Sequence, residues 1–352
     1  MAEKRKRTKR IALHAMRALG LFALARYLSR RRLRILCYHG FSIGDQHAYA
    51  PVMFMRPETF ERRLLLLRRL KYPVLSLDEA IFKLQTRAIR HNEVVITIDD
   101  GWKTTLTLAA PLLVKHAMPA CLYLTTYYAE REAAVFNVVV RYMLRRTRRT
   151  RAVLLGISPE IDGDYDISGN EDLIAQRWIA FGEQRLSWPQ RQDFLRTLAL
   201  QLELDFEEVT EGQRFSLLSS SDIPKLVECA MAIELHTHRH RLPRSDFAAA
   251  AEEIDANRAA IERLGGGFAT HFCYPSGEYS PDHAQWLAQL GIVSATTCDA
   301  GSNSSDDSPF FLRRYMDRDD ASDIEFEAEL SGVADFMRRL RGAMAAPAET
   351  PQ

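Results

Sequence analysis

A continuous β-favouring segment that ends in two acidic residues constrains this chain more than any other feature. The segment VVITI spans residues 94–98 and runs directly into Asp99 and Asp100. An unbroken apolar run of this length is typical of a parallel strand that is covered on both faces. In α/β proteins the chemistry lies at the carboxyl ends of such strands. Two adjacent carboxylates there repel each other unless a cation lies beside them, although Asp100 could instead cap the next helix.

Predicted strands and helices alternate along most of the chain. The predicted strands, in chain order, are residues 33–38, 72–77, 94–98, 120–125, 231–235, 271–274 and 293–297. Segments with helical apolar spacing separate them, including residues 104–116, and this alternation predicts βαβ units in a parallel sheet or barrel. From residue 129 to residue 219 the pattern becomes helical and polar. We interpret this block as an insertion between two strands.

The near-zero net charge hides a strongly basic N-terminal segment. Residues 1–34 hold 12 Lys and Arg against one acidic residue, which leaves 35 basic and 45 acidic residues in the remainder. The longest clean apolar stretch, residues 18–25, is far shorter than the ~20 residues of a membrane span. No clear secretory signal is evident either. We therefore expect a cytoplasmic protein whose N-terminal helix binds an anionic membrane surface.

A solvated helix and a nucleic-acid-binding tail are the alternatives for this N-terminal segment. Only Phe22 and Tyr27 are available there to stack on bases, so we expect no nucleic-acid partner. The five scattered cysteines include no C-x-x-C pair, which argues against a disulfide framework or a thiolate zinc site.

A second polar cluster, HTHRH at residues 236–240, follows another apolar strand. In an extended strand His236 and His240 would lie ~13 Å apart, but a helical turn beyond the strand end would bring them to one face. Two imidazoles and one carboxylate form a common zinc site that leaves one position open for water. A cationic surface turn is the alternative, and the Asp99–Asp100 pair at the end of another strand weighs against it.

Four segments together resemble the motifs of the metal-dependent polysaccharide deacetylases, the family four carbohydrate esterases. The sequence ITIDDG at 96–101 matches T-[FI]-D-D-G, and HTHRH at 236–240 matches H-[ST]-x-x-H. The sequence FCYPSGEY at 272–279 resembles F-x-Y-P-x-G-x-Y. The sequence ILCYHG at 35–40 resembles the L-x-Y-H motif of the circularly rearranged branch, in which this motif supplies a catalytic histidine.

The resemblance covers roughly residues 33–317, apart from the block at 129–219, and implies a distorted (β/α) barrel of about seven strands. We expect a basic, membrane-surface helix at 1–32 and the deacetylase barrel at 33–325, with a helical insertion at 129–219. A C-terminal helix and a disordered tail are expected at 326–352.

The resemblance also implies a role for each motif residue. Asp100, His236 and His240 would be the metal ligands, and Asp99 would be the general base that accepts a proton from the attacking water. His39 would be the general acid that protonates the leaving amine, as its ordinary pKa allows. The alternative for His39 is a satisfied histidine at a strand end.

Two further site residues follow from the resemblance. The backbone N–H of Ser276, after the proline of the third motif, would donate to the oxyanion. That motif lacks the arginine that many members place before the proline to orient the base. Arg314 resembles an arginine after a late leucine in the rearranged branch and could replace it. Trp102 and Tyr274 could form a sugar platform or could simply pack.

The expected activity is metal-dependent removal of N-acetyl groups from N-acetylhexosamine units of a surface polysaccharide or lipid-linked glycan. Zn²⁺ is the expected metal, and the ligand set also accommodates Co²⁺ or Ni²⁺. The alternatives are deacylation or deformylation of another amide-bearing sugar, and a non-catalytic glycan-binding barrel, which loss of Asp99 would have favoured. The Arg-rich stretches leave a nucleic-acid-associated hydrolase as a third interpretation, with binding that depends steeply on salt.

Overall fold

The computed structural model describes residues 2–129 and 134–345. The strands are β1 (Arg34–Tyr38), β2 (Gly40–Phe41), β3 (Phe54–Met55), β4 (Val94–Asp100), β5 (Ala120–Leu124), β6 (Arg151–Leu154), β7 (Gly163–Asp166), β8 (Met231–Leu235), β9 (His271–Cys273), β10 (Ser294–Thr296) and β11 (Tyr315–Met316). The helices are α1 (Ala2–Ala18), α2 (Leu21–Leu28), α3 (Gln46–Tyr49), α4 (Pro57–Arg69), α5 (Leu77–Gln85), α6 (Ala110–His116), α7 (Phe136–Arg146), α8 (Glu171–Arg185), α9 (Trp188–Gln201), α10 (Phe206–Thr210), α11 (Ile223–Glu228), α12 (Phe247–Arg263), α13 (His283–Gln289), α14 (Asp323–Ser331) and α15 (Val333–Ala345). The predicted disordered tail lies, from residue 346 onward, outside the described residues.

Seven strands form one curled sheet in the order β10-β9-β8-β5-β4-β1-β11. All pairings between neighbouring strands of this sheet are parallel. The segment that leads into β11 joins the two edges, because Leu312 bridges to Thr296 of β10 while Tyr315 pairs with Leu36 of β1. The predicted distorted (β/α) barrel of about seven strands is therefore confirmed.

The two faces of β4 belong to two different cores. The even-numbered side chains from Val94 to Ile98 pack in the large core between the sheet and the outer helices. Val95 packs instead in the smaller core inside the barrel. Because successive side chains of a strand point to opposite faces, Asp99 lies on the interior face with Val95. Asp100 is the last residue of the strand.

Two predicted elements differ from the structure, and a proline accompanies each difference. The strand expected at 72–77 makes only an isolated bridge from Val74 to Val94, since Pro73 can accept a ladder hydrogen bond but cannot donate one. The helix expected at 104–116 begins with a π-helical turn, Thr105–Ala109. Pro111 lacks the N–H that an α-helical ladder would need there.

The predicted insertion contains helices α7 to α10 and also the antiparallel pair β6 and β7. Its hydrophobic core surrounds the fully buried Trp178 and is continuous with Phe54 and Trp102 of the barrel. The ring centroids of Phe54 and Trp102 are 5.0 Å apart. Trp102 also bridges to Leu217 at the end of the block. The insertion therefore packs beside the end of β4.

The two ends of the chain pack together as a group of four helices, α1, α2, α14 and α15. Their shared core contains Leu13 and Phe22 from the N-terminal pair, and Ile324, Ala328 and Val333 from the C-terminal pair. In the described part of the chain no single helix is long and apolar enough to span a membrane. Residues 4–28, which bend by 76° between α1 and α2, pass that test of length and composition only when both helices are taken together.

Candidate metal centre and active site

Asp100, His236 and His240 lie together at the carboxyl edge of the sheet. One ligand atom from each lies within 4.8 Å of the others. The Nε2 atoms of His236 and His240 are each 3.4 Å from Oδ1 of Asp100. The side chain of His236 is 2% exposed and that of His240 is 36% exposed. The cluster is therefore closed on the barrel side and open to solvent on the side of His240.

The histidines meet through left-handed backbone and not through the helical turn that the sequence suggested. Thr237 has φ of +61° and His240 has φ of +56°. Both angles lie in the left-handed region, which costs ordinary residues conformational energy. The hydroxyl of Thr237 accepts the amide hydrogen of Arg241 at 3.0 Å and thus closes the loop.

Helix α12 fixes this loop through two side chains one helical turn apart. The amide of Asn257 accepts a hydrogen bond from the backbone N–H of His236 at 2.9 Å. Its Nδ2 donates to the carbonyl of Leu124 at the end of β5 at 3.0 Å. The carboxylate of Glu253 accepts from the backbone and guanidinium of Arg239. Asn257 and Glu253 are both buried, and the sequence-based prediction missed both.

Neighbouring groups leave one free ligand atom on Asp100 and one on His236. The indole N–H of Trp102 donates to Oδ2 of Asp100 at 3.1 Å, so Oδ1 faces the histidines. Nδ1 of His236 donates to the carbonyl of Cys273 at 2.8 Å, which leaves Nε2 unprotonated as a metal ligand. Asp100 is not a helix cap, because the amide of Lys103 donates to Ser216 instead.

The electrostatics of the cluster favour a bound cation. Burial alone would raise the pKa of Asp100, but its contacts with His236 and His240 outweigh burial and hold that pKa well below its ordinary value. Burial disfavours the charged form of His236, but contact with Asp100 raises its pKa. The cluster offers two nitrogen ligands and one carboxylate oxygen, and the ring of His236 is fixed in orientation. This set of ligands fits a divalent transition-metal ion.

Asp99 lies inside the barrel and is paired with Arg314. Nη1 and Nη2 of Arg314 donate to the two carboxylate oxygens of Asp99, each at 2.8 Å. Burial would raise the pKa of Asp99, but the charge and hydrogen bonds of Arg314 lower it to about 2. Arg314 thus contacts the carboxylate that the sequence assigned as the base, and its role in orienting that base stays a prediction.

All five N–H groups of Arg314 have an acceptor, which explains how a fully buried guanidinium is tolerated. Besides Asp99, the partners are the carbonyl of Thr297 at 2.9 Å, the hydroxyl of Thr97 at 3.2 Å and the sulfur of Cys273 at 3.1 Å. Residues of β4 and β9 and the residue after β10 therefore fix the guanidinium of Arg314. Arg314 in turn fixes the carboxylate of Asp99.

His39 follows β1 and lies near Asp99. Its Nε2 atom is 3.9 Å from Oδ2 of Asp99, and its side chain is 15% exposed. Its Nδ1 atom is buried and has no hydrogen-bond partner among the described residues. The position of His39 near Asp99 is compatible with the functional alternative, and its role as general acid stays a prediction.

Ser276 lies in the turn after β9, and it is exposed with φ of +57°. The amides of Gly277 and Glu278 donate to the carbonyls of Tyr274 and Pro275, respectively, and close this turn. Because β9 pairs in parallel with β8, the turn lies at the same edge of the sheet as His236. The role of the Ser276 N–H as an oxyanion donor stays a prediction.

The other aromatic and histidine candidates near the motifs are structural. Tyr274 is fully buried and Trp102 is 2% exposed, so neither offers a sugar platform. His238 points away from the cluster, with Nδ1 2.9 Å from the hydroxyl of Thr126. His271 lies between Asp78 and Ser294.

A parallel barrel with two imidazoles and a carboxylate at its carboxyl edge, and a second carboxylate beside them, has the arrangement of a metal-dependent hydrolase. Comparison with known proteins narrows this class. Residues 213–295 match the sequence model of the polysaccharide deacetylase family. This span includes His236, His240 and Ser276 and excludes Asp99 and Asp100. No curated protein sequence matches the chain.

Several solved structures share the fold across 85% of this chain. A Streptococcus pyogenes deacetylase, PplD in complex with acetate, is 15% identical with a TM-score of 0.57 over 98% of its own chain. IcaB from Ammonifex degensii is 18% identical with a TM-score of 0.55 over 97% of its chain. A de-N-acetylase from Aggregatibacter actinomycetemcomitans is 11% identical with a TM-score of 0.52 over 99% of its chain. The predicted resemblance to polysaccharide deacetylases is confirmed, while the rearranged branch stays a prediction.

Proposed function

We propose that the chain is a metal-dependent hydrolase that removes N-acetyl groups from N-acetylhexosamine units of a glycan. One observation carries this proposal: the three candidate ligands Asp100, His236 and His240 lie directly beside the Asp99–Arg314 pair and His39. This arrangement combines a site for a divalent ion with a base and an acid, which amide hydrolysis requires.

Asp100 Oδ1 and the Nε2 atoms of His236 and His240 would hold the ion, and Zn²⁺ is the best match to two nitrogens and one oxygen. Co²⁺ and Ni²⁺ suit the same ligands. When bound, such an ion acidifies water and polarises a carbonyl oxygen. The open side at His240 admits water and substrate.

Asp99 would accept the proton of the attacking water. Its pKa of about 2 keeps it ionised at neutral pH. Such a carboxylate is a weak base. It would therefore accept this proton only from a water molecule whose pKa a bound ion lowers. The bidentate contact with Arg314 fixes the direction in which the carboxylate points.

His39 would donate a proton to the nitrogen as the carbon–nitrogen bond breaks. An unprotonated amine is a poor leaving group, so this transfer is needed to release the amino sugar and acetate. The backbone N–H of Ser276 would stabilise the negative charge on the former acetyl oxygen. The role of Asp99 is tested below by a variant that leaves the ligands of the ion in place.

The substrate is proposed to be a surface polysaccharide or a lipid-linked glycan, and the enzyme is proposed to act at the cytoplasmic face of the membrane. The basic N-terminal segment is what supports this location. The substrate proposal rests on the motifs and the fold rather than on a pocket of matching shape.

The decisive experiment is acetate release from N-acetylglucosamine oligomers by the purified chain, with and without a chelator. We expect turnover that the chelator abolishes and that added Zn²⁺ restores. The variant Asp99→Asn should lose about 10²–10⁴-fold in kcat. The variant Asp255→Asn, which changes an exposed aspartate on α12, is the matched control and should keep full activity.

Full turnover by Asp99→Asn would contradict the proposed mechanism. Binding of glycans without hydrolysis of any N-acylated sugar would support the glycan-binding barrel instead. Faster hydrolysis of N-formyl than of N-acetyl sugars would identify the deformylase alternative.

A further inference from the structure

Helix α2 buries one face and leaves a leucine-rich face uncovered. Phe22 is 4% exposed and packs in the four-helix core. On the opposite face Leu24 is 54% exposed and Leu28 is 71% exposed, and Leu19 in the bend before the helix is 77% exposed. Large apolar side chains at this exposure are costly in water when they cluster, and such clusters mark interaction surfaces.

Helix α15, which packs against α2, also leaves apolar side chains exposed. Val333 and Met337 face the shared core. Phe336 and Leu340, which are one helical turn apart, are 60% and 48% exposed. Two helices that pack together, one from each end of the chain, thus carry exposed apolar side chains. We call this set the α2–α15 surface (Leu19, Leu24, Leu28, Phe336 and Leu340).

Several exposed basic side chains on α1, after α2 and on α15 have no ion-pair partner among the described residues. One face of α1 is neutralised, since Lys6 pairs with Asp320, and Lys9 and Arg10 pair with Glu325. Within the described residues, the exposed Lys4, Arg5, Arg7, Arg31 and Arg339 make no ion pair. The unpaired charge that these segments of the four-helix group expose is therefore positive.

A cationic cavity of about 370 Å³ opens beside α15. Arg32, Arg313 and Arg339 contribute to its lining. Arg32 and Arg313 share a single carboxylate, that of Asp307, at 3.6 and 3.3 Å. Burial and the nearby charge of Arg339 lower the pKa of Arg32. The lining also contains Arg338 and Asp335, so four arginines face two aspartates and the lining keeps a net positive charge.

We propose that the α2–α15 surface docks onto an anionic lipid bilayer. The leucines and Phe336 would enter the boundary between headgroups and acyl chains, while the unpaired basic side chains contact the anionic headgroups. This inference rests on the membrane location in the proposed function and deepens it, because it names the residues, all outside the active site, that would bring the enzyme to membrane-attached substrate.

Charge and chemistry together favour a bilayer over other occupants. A second copy of this chain would bring the same unpaired basic residues against themselves, and like charges repel. A nucleic acid would match the charge but would not cover the leucines. An anionic bilayer offers both negative charge and an apolar interior at the same surface.

The test is co-sedimentation of the full chain with vesicles of phosphatidylcholine alone or with about one-third phosphatidylglycerol. We expect binding to the anionic vesicles only, weakened by 1 M salt because the Debye length falls to ~3 Å. The double variant Leu24→Ser/Leu28→Ser should reduce binding by about tenfold or more. The control Leu155→Ser/Leu200→Ser changes leucines that are 76% and 74% exposed but lie in the insertion, and it should bind normally.

Both double variants should release acetate from soluble oligomers at the wild-type rate, so failure of docking and failure of the proposed hydrolysis are distinguishable. Equal binding to neutral vesicles would overturn the proposal, and so would unchanged binding by Leu24→Ser/Leu28→Ser. A dimer in solution that Leu24→Ser/Leu28→Ser dissociates would assign the surface to a second copy. Binding to duplex DNA in preference to vesicles would assign it to nucleic acid.

Discussion

The buried pair of Asp99 and Arg314 predicts a large stability effect from one substitution. Arg314→Leu leaves the carboxylate of Asp99 without its partner inside the barrel, which should lower the free energy of unfolding by about 3–5 kcal/mol. Urea denaturation measures this difference. The control is Arg87→Leu, which breaks an ion pair with Asp306 at the same 2.8 Å distance but with side chains that are 72% and 73% exposed. It should cost about 0–1 kcal/mol.

The indole of Trp102 predicts an effect on metal affinity. Trp102→Phe keeps most of the packing but removes the N–H that holds Oδ2 of Asp100. We expect the dissociation constant for Zn²⁺ to rise about 10–100-fold, measured by competition with a chromogenic chelator. Trp178→Phe is the matched control, because its buried indole nitrogen has no hydrogen-bond partner in the described chain. Equal affinities of the two variants would contradict the role of Trp102.

The motif residues of the site could be predicted from the sequence because each motif occupies consecutive positions at a strand end. Asp99 and Asp100 follow an apolar run, and His236 follows another. The sequence suggests Trp102 only as a possible sugar platform or packing residue, because no sequence pattern shows that its indole N–H donates to the carboxylate of Asp100. Arg314 was linked to the base only by resemblance, because it is 215 residues away from Asp99.

Helix α12 predicts how the ligand loop is stabilised. Asn257→Ala removes the acceptor for the His236 amide and the donors to Leu124 and Thr126. Because these groups are buried, the loss should cost about 2–4 kcal/mol of unfolding free energy and should also weaken metal binding. Asn137→Ala, at an exposed position on α7, should change neither. Unchanged Zn²⁺ affinity in Asn257→Ala would show that the loop keeps its shape without α12.

We expect Asp222, in the turn that leads from the insertion into α11, to make a contribution to stability that is lost in acid. Burial would raise the pKa of Asp222, but hydrogen bonds from Lys103 and Ser219 lower it to about 2, against an ordinary 3.8. The stabilisation is therefore complete above about pH 4 and is lost as the pH falls towards 2. Denaturation curves at several pH values should show a smaller acid loss for Asp222→Asn than for the wild type. Parallel acid losses would contradict this assignment.

Apolar periodicity predicted most strands and helices of the barrel, since it depends on neighbouring residues alone. The backbone conformation of the loop at 236–240 could not be predicted in this way. Its left-handed residues, Thr237 and His240, lie in a loop that side chains of α12 contact through the backbone of His236 and Arg239. The insertion at 129–219 was expected to be helical and polar. Its hairpin and its buried core around Trp178 depend on contacts between distant segments, which a local pattern does not show.

The packing of the two chain ends predicts resistance to proteolysis. Leu13 is 2% exposed and holds α1 against the core of the four-helix group. Leu13→Asp would bury a charge there and should release α1. Trypsin should then remove the first ten residues much faster than from the wild type, as followed by mass spectrometry. The exposed substitution Ile11→Asp is the control and should leave the cleavage rate nearly unchanged, since Ile11 is 60% exposed.

The same chain carries a candidate membrane-docking surface on the four-helix group and a candidate hydrolytic site at the edge of the barrel. The sequence separated the basic residues 1–34 from the C-terminal helix, and only the fold brings α2 and α15 together. The charge asymmetry of the sequence was visible at once, whereas the pairing of Lys6, Lys9 and Arg10 with acidic residues of the C-terminal region was not.

The central claim is that one divalent ion binds between Asp100, His236 and His240. Anomalous diffraction at the zinc absorption edge, from crystals of the zinc-loaded chain, tests it most directly. The account predicts a single strong peak about 2.0–2.2 Å from Oδ1 of Asp100 and from Nε2 of each histidine, absent in His236→Ala crystals. A peak at other residues, or no peak in a fully active enzyme, would contradict it.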